Sequence, residues 1–204
     1  ANDLGNLLHR TLSMIGRFNH GTIEAGNAAA ELDQELLQLA EQTVMQYEKA
    51  MDEMDINAAI KGIWTLISRT NKYIDETGPW ALAKDEAKKE RLNTVLYNLA
   101  ETLRIISILI YPLMPITGPK IWEQLGMKQE FNTVSLADVK GWGKLPAGTI
   151  VGKFQPIFPR IEDKPAEVTA PVLESAVVKS ELPIQPASGA PEITIEDFAK
   201  MDLR

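Results

Sequence analysis

There is no cysteine in these 204 residues. That excludes a disulfide framework, a thiolate metal site and a cysteine nucleophile. Histidine is nearly as scarce. His9 and His20 are the only two, too few for a multi-histidine metal site, so composition argues against a metalloenzyme. No apolar run approaches the ~20 residues that a membrane-spanning helix needs. The longest, Ile105–Tyr111, is broken by Ser107 and stopped by Pro112. Ala1–Arg10 is polar and reads as a helix start, not as a secretory signal. These absences point to a reducing, cytoplasmic setting. An excess of positive charge is missing too, since the net charge is -7. A protein that coats nucleic acid without regard to sequence needs surplus Lys and Arg to neutralise phosphates. Any nucleic-acid contact here must therefore be local and selective. The first 22 residues are the place for it, because Arg10 and Arg17 there face only Asp3. Recognisable catalytic apparatus is also lacking: there is no Gly-rich phosphate loop, no Ser/His/Asp arrangement and no paired-carboxylate motif. The acidic cluster Asp52, Glu53 and Asp55 reads as a solvated helix connection with a cap.

What is present is helical periodicity. Leu4, Leu8, Leu12 and Ile15, widened by Leu7 and Met14, form the apolar stripe of a first helix ending around Phe18–Gly21. Asp3, Asn6, Arg10, Ser13 and Arg17 fall on its polar side. A second helix is expected over Ala28–Met51, with Leu32, Leu36, Leu39, Thr43 and Tyr47 in register. Asp55 reads as the cap of a third, whose buried face is expected to hold Ile56, Ile60, Ile63, Trp64, Ile67 and Ile74 and which Gly78-Pro79 stops. A fourth is expected from about Asp85 to Pro112, and a short fifth over Pro119–Leu125 with Gly126 behind it. The class is therefore all-α: an antiparallel bundle of four to five helices over residues 1–126. Residues 127–162, punctuated by Gly and Pro, read as a loop or hairpin segment docked on something else. Residues 163–191, rich in Pro, Ala, Val, Glu and Ser, read as a flexible linker. Order returns at 192–204, where a further domain opens. The chain starts inside a helical pattern and stops soon after another begins, which reads as a piece of a longer protein.

Two places invite a chemical reading. Asn6 and Arg10 stand at i and i+4, so their side chains meet on one helix face. An amide and a planar guanidinium fork can read base edges or clamp a sugar-phosphate backbone; equally, such a pair can be an ordinary solvated face. In Asn71-Lys72-Tyr73-Ile74-Asp75-Glu76-Thr77-Gly78-Pro79-Trp80, the Gly-Pro stop puts Trp80 directly after a turn. A Trp on a rigid turn is a platform for an unstacked base, or else a plug where two helices meet. Trp64, Trp122 and Trp142 read as packing.

At these residues the sequence resembles a known family. Asn6-Leu7-Leu8-His9-Arg10 resembles the opening helix of the anticodon-binding domain of bacterial methionyl-tRNA synthetases. Ser68-Arg69-Thr70-Asn71-Lys72-Tyr73-Ile74-Asp75-Glu76, followed by Pro79-Trp80 and Lys84, is similar to that family's second signature. Ile157-Phe158-Pro159-Arg160-Ile161 resembles the segment that packs back toward the catalytic part, and Glu192–Arg204 the start of the appended tRNA-binding OB domain.

The resemblance implies that Asn6, Arg10 and Trp80 contact the CAU anticodon of tRNA(Met), with Asn71 and Tyr73 as supporting candidates that orient or pack. It implies a parent enzyme that attaches methionine to tRNA(Met) using ATP, and partners in the anticodon loop and the enzyme's own catalytic domain. A homodimer through the OB domain and a zinc knuckle in the catalytic part belong to the same implication. The family's catalytic signatures do not occur in this sequence, so the segment is expected to be inactive alone and to hold no cofactor or metal. Two alternatives remain. One is the anticodon-binding domain of a related class I synthetase for leucine, valine or isoleucine. The other is a helical protein-interaction module with no RNA role.

Overall fold

A computed structural model describes residues 2–158. The expected Pro159-Arg160-Ile161 contacts, the linker at 163–191 and the domain opening at 192–204 lie outside the described residues. The chain divides into two units, Ala1–Ile161 and Glu162–Arg204; the helices and the site residues all belong to the first.

Helix α1 spans Asn2–Phe18. Its leucine stripe is buried, while Asp3, Asn6, Ser13 and Arg17 stay at the surface. His20 (φ 51) and Gly21 (φ 83) then turn the backbone left-handed and end it. The next residues form a two-residue strand, β1, Thr22–Ile23.

Helix α2 spans Glu31–Asp52, starting three residues later than its periodicity suggests. The cause is tertiary. Gly26 lies so close to the later helix α5 (Lys89–Leu109) that a Cβ on it would fall 2.1 Å from the Thr94 nitrogen. Ala28 N–H donates to Thr94 Oγ1 (3.1 Å), and its carbonyl accepts from Arg91 (3.1 Å). Backbone held this way cannot join a helix; Ala30 N–H, bound by Asp33 Oδ2 at 2.7 Å, begins it instead.

Helix α3 spans Ile56–Thr77. Asp55 caps it as expected, accepting from Ala58 N–H at 2.9 Å, and Gly78 (φ 53) ends it. The expected buried face needs correcting at its start. Ile56 and Ile60 are exposed and Trp64 is only partly buried, and the core begins instead at Ala59, Ile63, Leu66 and Ile67. Periodicity marks a helix face but not where along it the neighbours begin. Helices α2 and α3 are antiparallel, since Glu35 meets Arg69 and Asp33 meets Tyr73 near one end while Thr43 approaches Gly62 further along. The sense between α1 and α3 is the opposite: Asp3 meets Asn71 and Arg10 meets Asp75, so the contacts advance together along both helices.

Pro79 then opens a one-turn helix α4, Pro79–Leu82, instead of leaving the chain irregular. A 3-10 turn, Glu86–Lys88, capped by Asp85, precedes α5. Helix α5 is buried nearly all round, polar residues included. Helix α6 spans Thr117–Gln124.

Residues 127–158 fold back over α5 and α6. Phe131 sits edge-on to both Tyr111 and Trp122, and Trp122 Nε1–H donates to the Gln129 carbonyl at 2.8 Å. The expected local hairpin does not form. The strand in this stretch, β2 (Thr149–Ile150), pairs antiparallel with β1 from the other end of the unit. Gly126 makes that possible. At φ +78, any Cβ on it would lie 1.9 Å from the Ile150 carbonyl oxygen. From β2 the chain runs as a strap, residues 151–158, tied to α6 by Gly152 N–H and Gln155 N–H donating to the backbone and side-chain oxygens of Gln124. It lies against α1, where the Phe154 ring meets that of His9 at a 45° tilt with centroids 4.5 Å apart.

A buried polar node fastens α2, α3 and α5 together. The Arg91 guanidinium grips Asp33 with bonds of 2.5 and 2.9 Å, Tyr73 O–H donates to Asp33 Oδ1 (2.5 Å), and Asn98 donates to the Tyr73 oxygen (3.2 Å). Burial opposes the charge on Asp33, yet the hydrogen bonds from Arg91, Tyr73 and Ala30 together hold its carboxyl below the usual 3.8. Burial and the neighbouring Asp33 push the Tyr73 hydroxyl well upward, so it stays a proton donor. A carboxyl depressed by folding contributes stability above its unfolded pKa and loses it as pH falls through the folded value. Thermal melts between pH 5 and pH 2 are therefore expected to fall more steeply for the natural protein than for Asp33→Asn, which starts less stable and changes less. Parallel curves would remove Asp33 from the acid response.

Candidate nucleic-acid interface

The fold brings the two sequence signatures onto one surface. Asn71, half-buried in the second half of α3, donates to the Asp3 carbonyl of α1 and to its own helix at Ile67 O, both at 3.2 Å. One turn later Asp75 accepts from Arg10 Nη2 at 2.5 Å. These contacts lay the end of α3 along the polar stripe of α1. Trp80 follows within five residues, beyond the Gly78 turn.

Each candidate then has a definite setting. Asn6 is exposed, and lies one turn from Arg10 at the edge of a cleft of about 190 Å³ between α1 and the strap. The Arg10 side chain is 34% exposed, and its partner Asp75 63%. An ion pair this open contributes only ~0–1 kcal/mol. Asp75 therefore orients the guanidinium without tying it up, and a phosphate or a base edge can take the carboxylate's place. Trp80 is 48% exposed. Its backbone is fixed by the left-handed Gly78 and by Pro79, which is itself buried. The indole is thus open on about half its surface and is not a fully buried plug.

The supporting candidates separate. Asn71 positions α3 on α1 through its amide. Tyr73 is 0% exposed and belongs to the Asp33–Arg91 node, so it is a core residue and presents nothing to a ligand. Asp75 is a site residue that sequence reasoning missed. The signal was its spacing: at i+4 from Asn71 it must share that residue's face. Around the rim, Arg69 bridges Glu35 and Glu76, and Lys72 also reaches Glu76. These cations are neutralised locally, as Arg10 is by Asp75, whereas Arg17 of α1 makes no ion pair among the described residues. Among the described residues no group of three His, Asp or Glu side chains is placed to hold a metal ion, and no helix is long and apolar enough to cross a membrane.

An exposed aromatic surface together with an amide and a guanidinium fork is chemistry for reading unpaired bases, and comparison with known proteins shows the family. Residues 33–147 match the family described as the anticodon-binding domain of tRNA ligase. The chain belongs to that family. It is 44% identical, over its whole length, to the methionine–tRNA ligase of Lactococcus lactis, and 48% identical to that of Clostridium perfringens. It spans only 31% of each of those proteins. Among solved structures, the free-state methionyl-tRNA synthetase of Mycobacterium tuberculosis superimposes on 80% of this chain with a TM-score of 0.73 at 34% identity, the match covering 33% of the synthetase.

Proposed function

We propose that this chain is the anticodon-reading part of a methionine–tRNA ligase, with Asn6, Arg10 and Trp80 recognising the CAU anticodon of tRNA(Met). The observation that carries the reading is the shared surface: an open indole on a capped turn, joined through Asp75 to the face of α1 that bears Arg10 and Asn6. An unstacked loop base lies on Trp80, and Asn6 and Arg10 bond the exposed edges. A wrong base leaves polar groups unpaired, at roughly 1–3 kcal/mol for each buried one. The whole enzyme then joins methionine to its tRNA in the cytoplasm, with ATP as the energy source. ATP and zinc belong to its catalytic part, the second partner of this domain. A homodimer formed through the OB domain that 192–204 opens is part of the same reading. Discrimination from leucine, valine and isoleucine enzymes rests on the pairing of Asn6-x-x-x-Arg10 with Pro79-Trp80, and the names of the relatives support methionine.

Binding of the chain to an anticodon stem-loop bearing CAU, against the same stem-loop with one anticodon base changed, tests this at one stated salt concentration. A preference for CAU is expected. Arg10→Ala is expected to shrink that preference by about 1–2 kcal/mol, the worth of a charge-assisted bond. Equal selectivity of the variant and the natural protein in competition would refute the role of Arg10. Equal binding to both RNAs would reduce the surface to a sequence-blind contact. No binding, together with capture of a protein partner through the same face, would favour the interaction module.

A further inference from the structure

Helix α1 also forms one wall of a furrow that begins at Asn6 and continues past the proposed base contacts. The strap at 151–158 forms the other wall. Two cavities lie along it, the cleft of about 190 Å³ at Asn6 and a wider one of about 520 Å³ toward the C-terminal end of α1. Phe154, packed against His9, lines both. The wider cavity has Gly16 at its floor, where even an added Cβ would meet nothing within 4 Å, and His20 and Lys153 at its sides.

The charge of the furrow stands out against the rest of the molecule. In a chain of net charge -7, no carboxylate among the described residues lines either cavity. Both of the protein's histidines do. Lys153 is exposed, makes no ion pair among the described residues, and stands in a lining without a carboxylate. Glu123 sits with Lys153 around a separate depression beside α6, without bonding to it. His20, in the left-handed conformation that ends α1, lines the wider cavity.

We infer that this furrow is a phosphate track, in which Lys153 and His20 hold the sugar-phosphate backbone of the anticodon loop next to the bases read at Asn6, Arg10 and Trp80. The inference rests on the reading proposed above and extends its site along α1. From Asn6 to Phe18 the helix advances about 18 Å, long enough for a stretch of loop backbone to lie along it. Phosphate contacts carry no sequence information but fix register and orientation. A chain with little surplus positive charge needs such contacts placed where the loop lies, and Lys153 stands in a furrow that no carboxylate lines among the described residues.

The test is a salt titration of stem-loop binding with the 204-residue chain. Removing one cation from a phosphate of single-stranded RNA lowers the slope of log K against log salt by ~0.7. Lys153→Ala is expected to weaken binding of the CAU stem-loop roughly 3- to 10-fold near 50 mM salt, with the deficit vanishing at high salt. It should leave the ratio between cognate and base-changed stem-loops untouched, which separates it from Arg10→Ala. Lys153→Glu should weaken binding further, and Lys49→Ala, whose lysine lies on α2 paired to Glu53, should do nothing. Circular dichroism checks that each variant stays helical. If the natural chain shows no preference for CAU, the anticodon reading and this inference fall together. If it prefers CAU but both Lys153 variants keep the natural slope and affinity, the furrow holds no phosphate, and this inference alone is overturned.

Discussion

Glu101→Ala should lower the stability of the described unit by about 3–5 kcal/mol, the usual effect of breaking a buried ion pair from one side. Glu101 and Arg104 are 0% and 2% exposed at the centre of α5. The carboxylate receives five donors. Arg104 Nε and Nη2 approach at 2.8 Å each, and the N–H groups of Gly143, Lys144 and Leu145 at 3.0, 3.1 and 3.0 Å. Truncation removes the acceptor of all five donors, leaving the guanidinium only its bond to the Asp138 carbonyl and the buried Leu145 N–H without a partner. Glu101→Gln keeps the shape but replaces one acceptor oxygen with a donor and removes the charge, so it too should destabilise. Arg104→Met leaves the carboxylate its three backbone donors, which makes it the milder partner in a double-mutant cycle. Urea unfolding measures all of them, and a loss under about 1 kcal/mol for Glu101→Ala would show that water reaches the site. The consequence extends beyond α5. This node, with Tyr97 O–H donating to Leu145 O at 2.8 Å, pins the loop that leads through β2 to the strap along α1. Burial first, then the Glu101 charge, pushes the Tyr97 hydroxyl up to about 12, so it keeps its proton and its bond at any pH the protein meets. Loss of Glu101 should therefore loosen the furrow wall before it unfolds the helices.

What was legible in the sequence is what short-range chemistry decides. The leucine stripe of α1, the Asp55 cap and the Gly78 stop depend on residues within a turn or two, and each stands where its spacing put it. The start of α2 did not, because Gly26 and Ala28 are held by Thr94 and Arg91, more than sixty residues away. Two-residue strands show no alternation, so the pairing of Thr22–Ile23 with Thr149–Ile150 leaves no trace in the sequence. The Glu101–Arg104 pair carries the i, i+3 spacing of a solvated surface pair; only the elements around α5 make it a buried one. Trp80 and Tyr73 show the same limit at the site. Both are aromatics in one signature, but Tyr73 stands at i+7 from Leu66 and i+3 from Thr70, on the core stripe, while Trp80 lies past the helix stop. The stripe register could have told them apart. The bond between Arg10 and Asp75 needed the fold.

Trp80→Ala should weaken binding of the CAU stem-loop by about 1–3 kcal/mol, the range typical of one base–aromatic stack, or roughly 5- to 150-fold in Kd. The same substitution should hardly affect folding. The indole is half exposed, and the turn beneath it is set by Gly78 and by Pro79, which remain. That separation of affinity from stability distinguishes the platform from a packing role, for which the two would fall together. Trp80→Phe keeps a smaller π-face and should recover part of the loss, and Trp80→Leu, hydrophobic but without a ring, should not. Tyr73→Phe provides the reverse pattern. It removes the hydroxyl that donates to Asp33 and so lowers stability, and because the ring is buried, RNA affinity should hold once the variant is folded. Quenching of tryptophan emission by the stem-loop, lost in the Trp80 variants although Trp64, Trp122 and Trp142 remain, would assign the stack to this residue. Unchanged affinity in a fully helical Trp80→Ala protein would refute it, and would leave Asn6 and Arg10 to account for anticodon recognition alone.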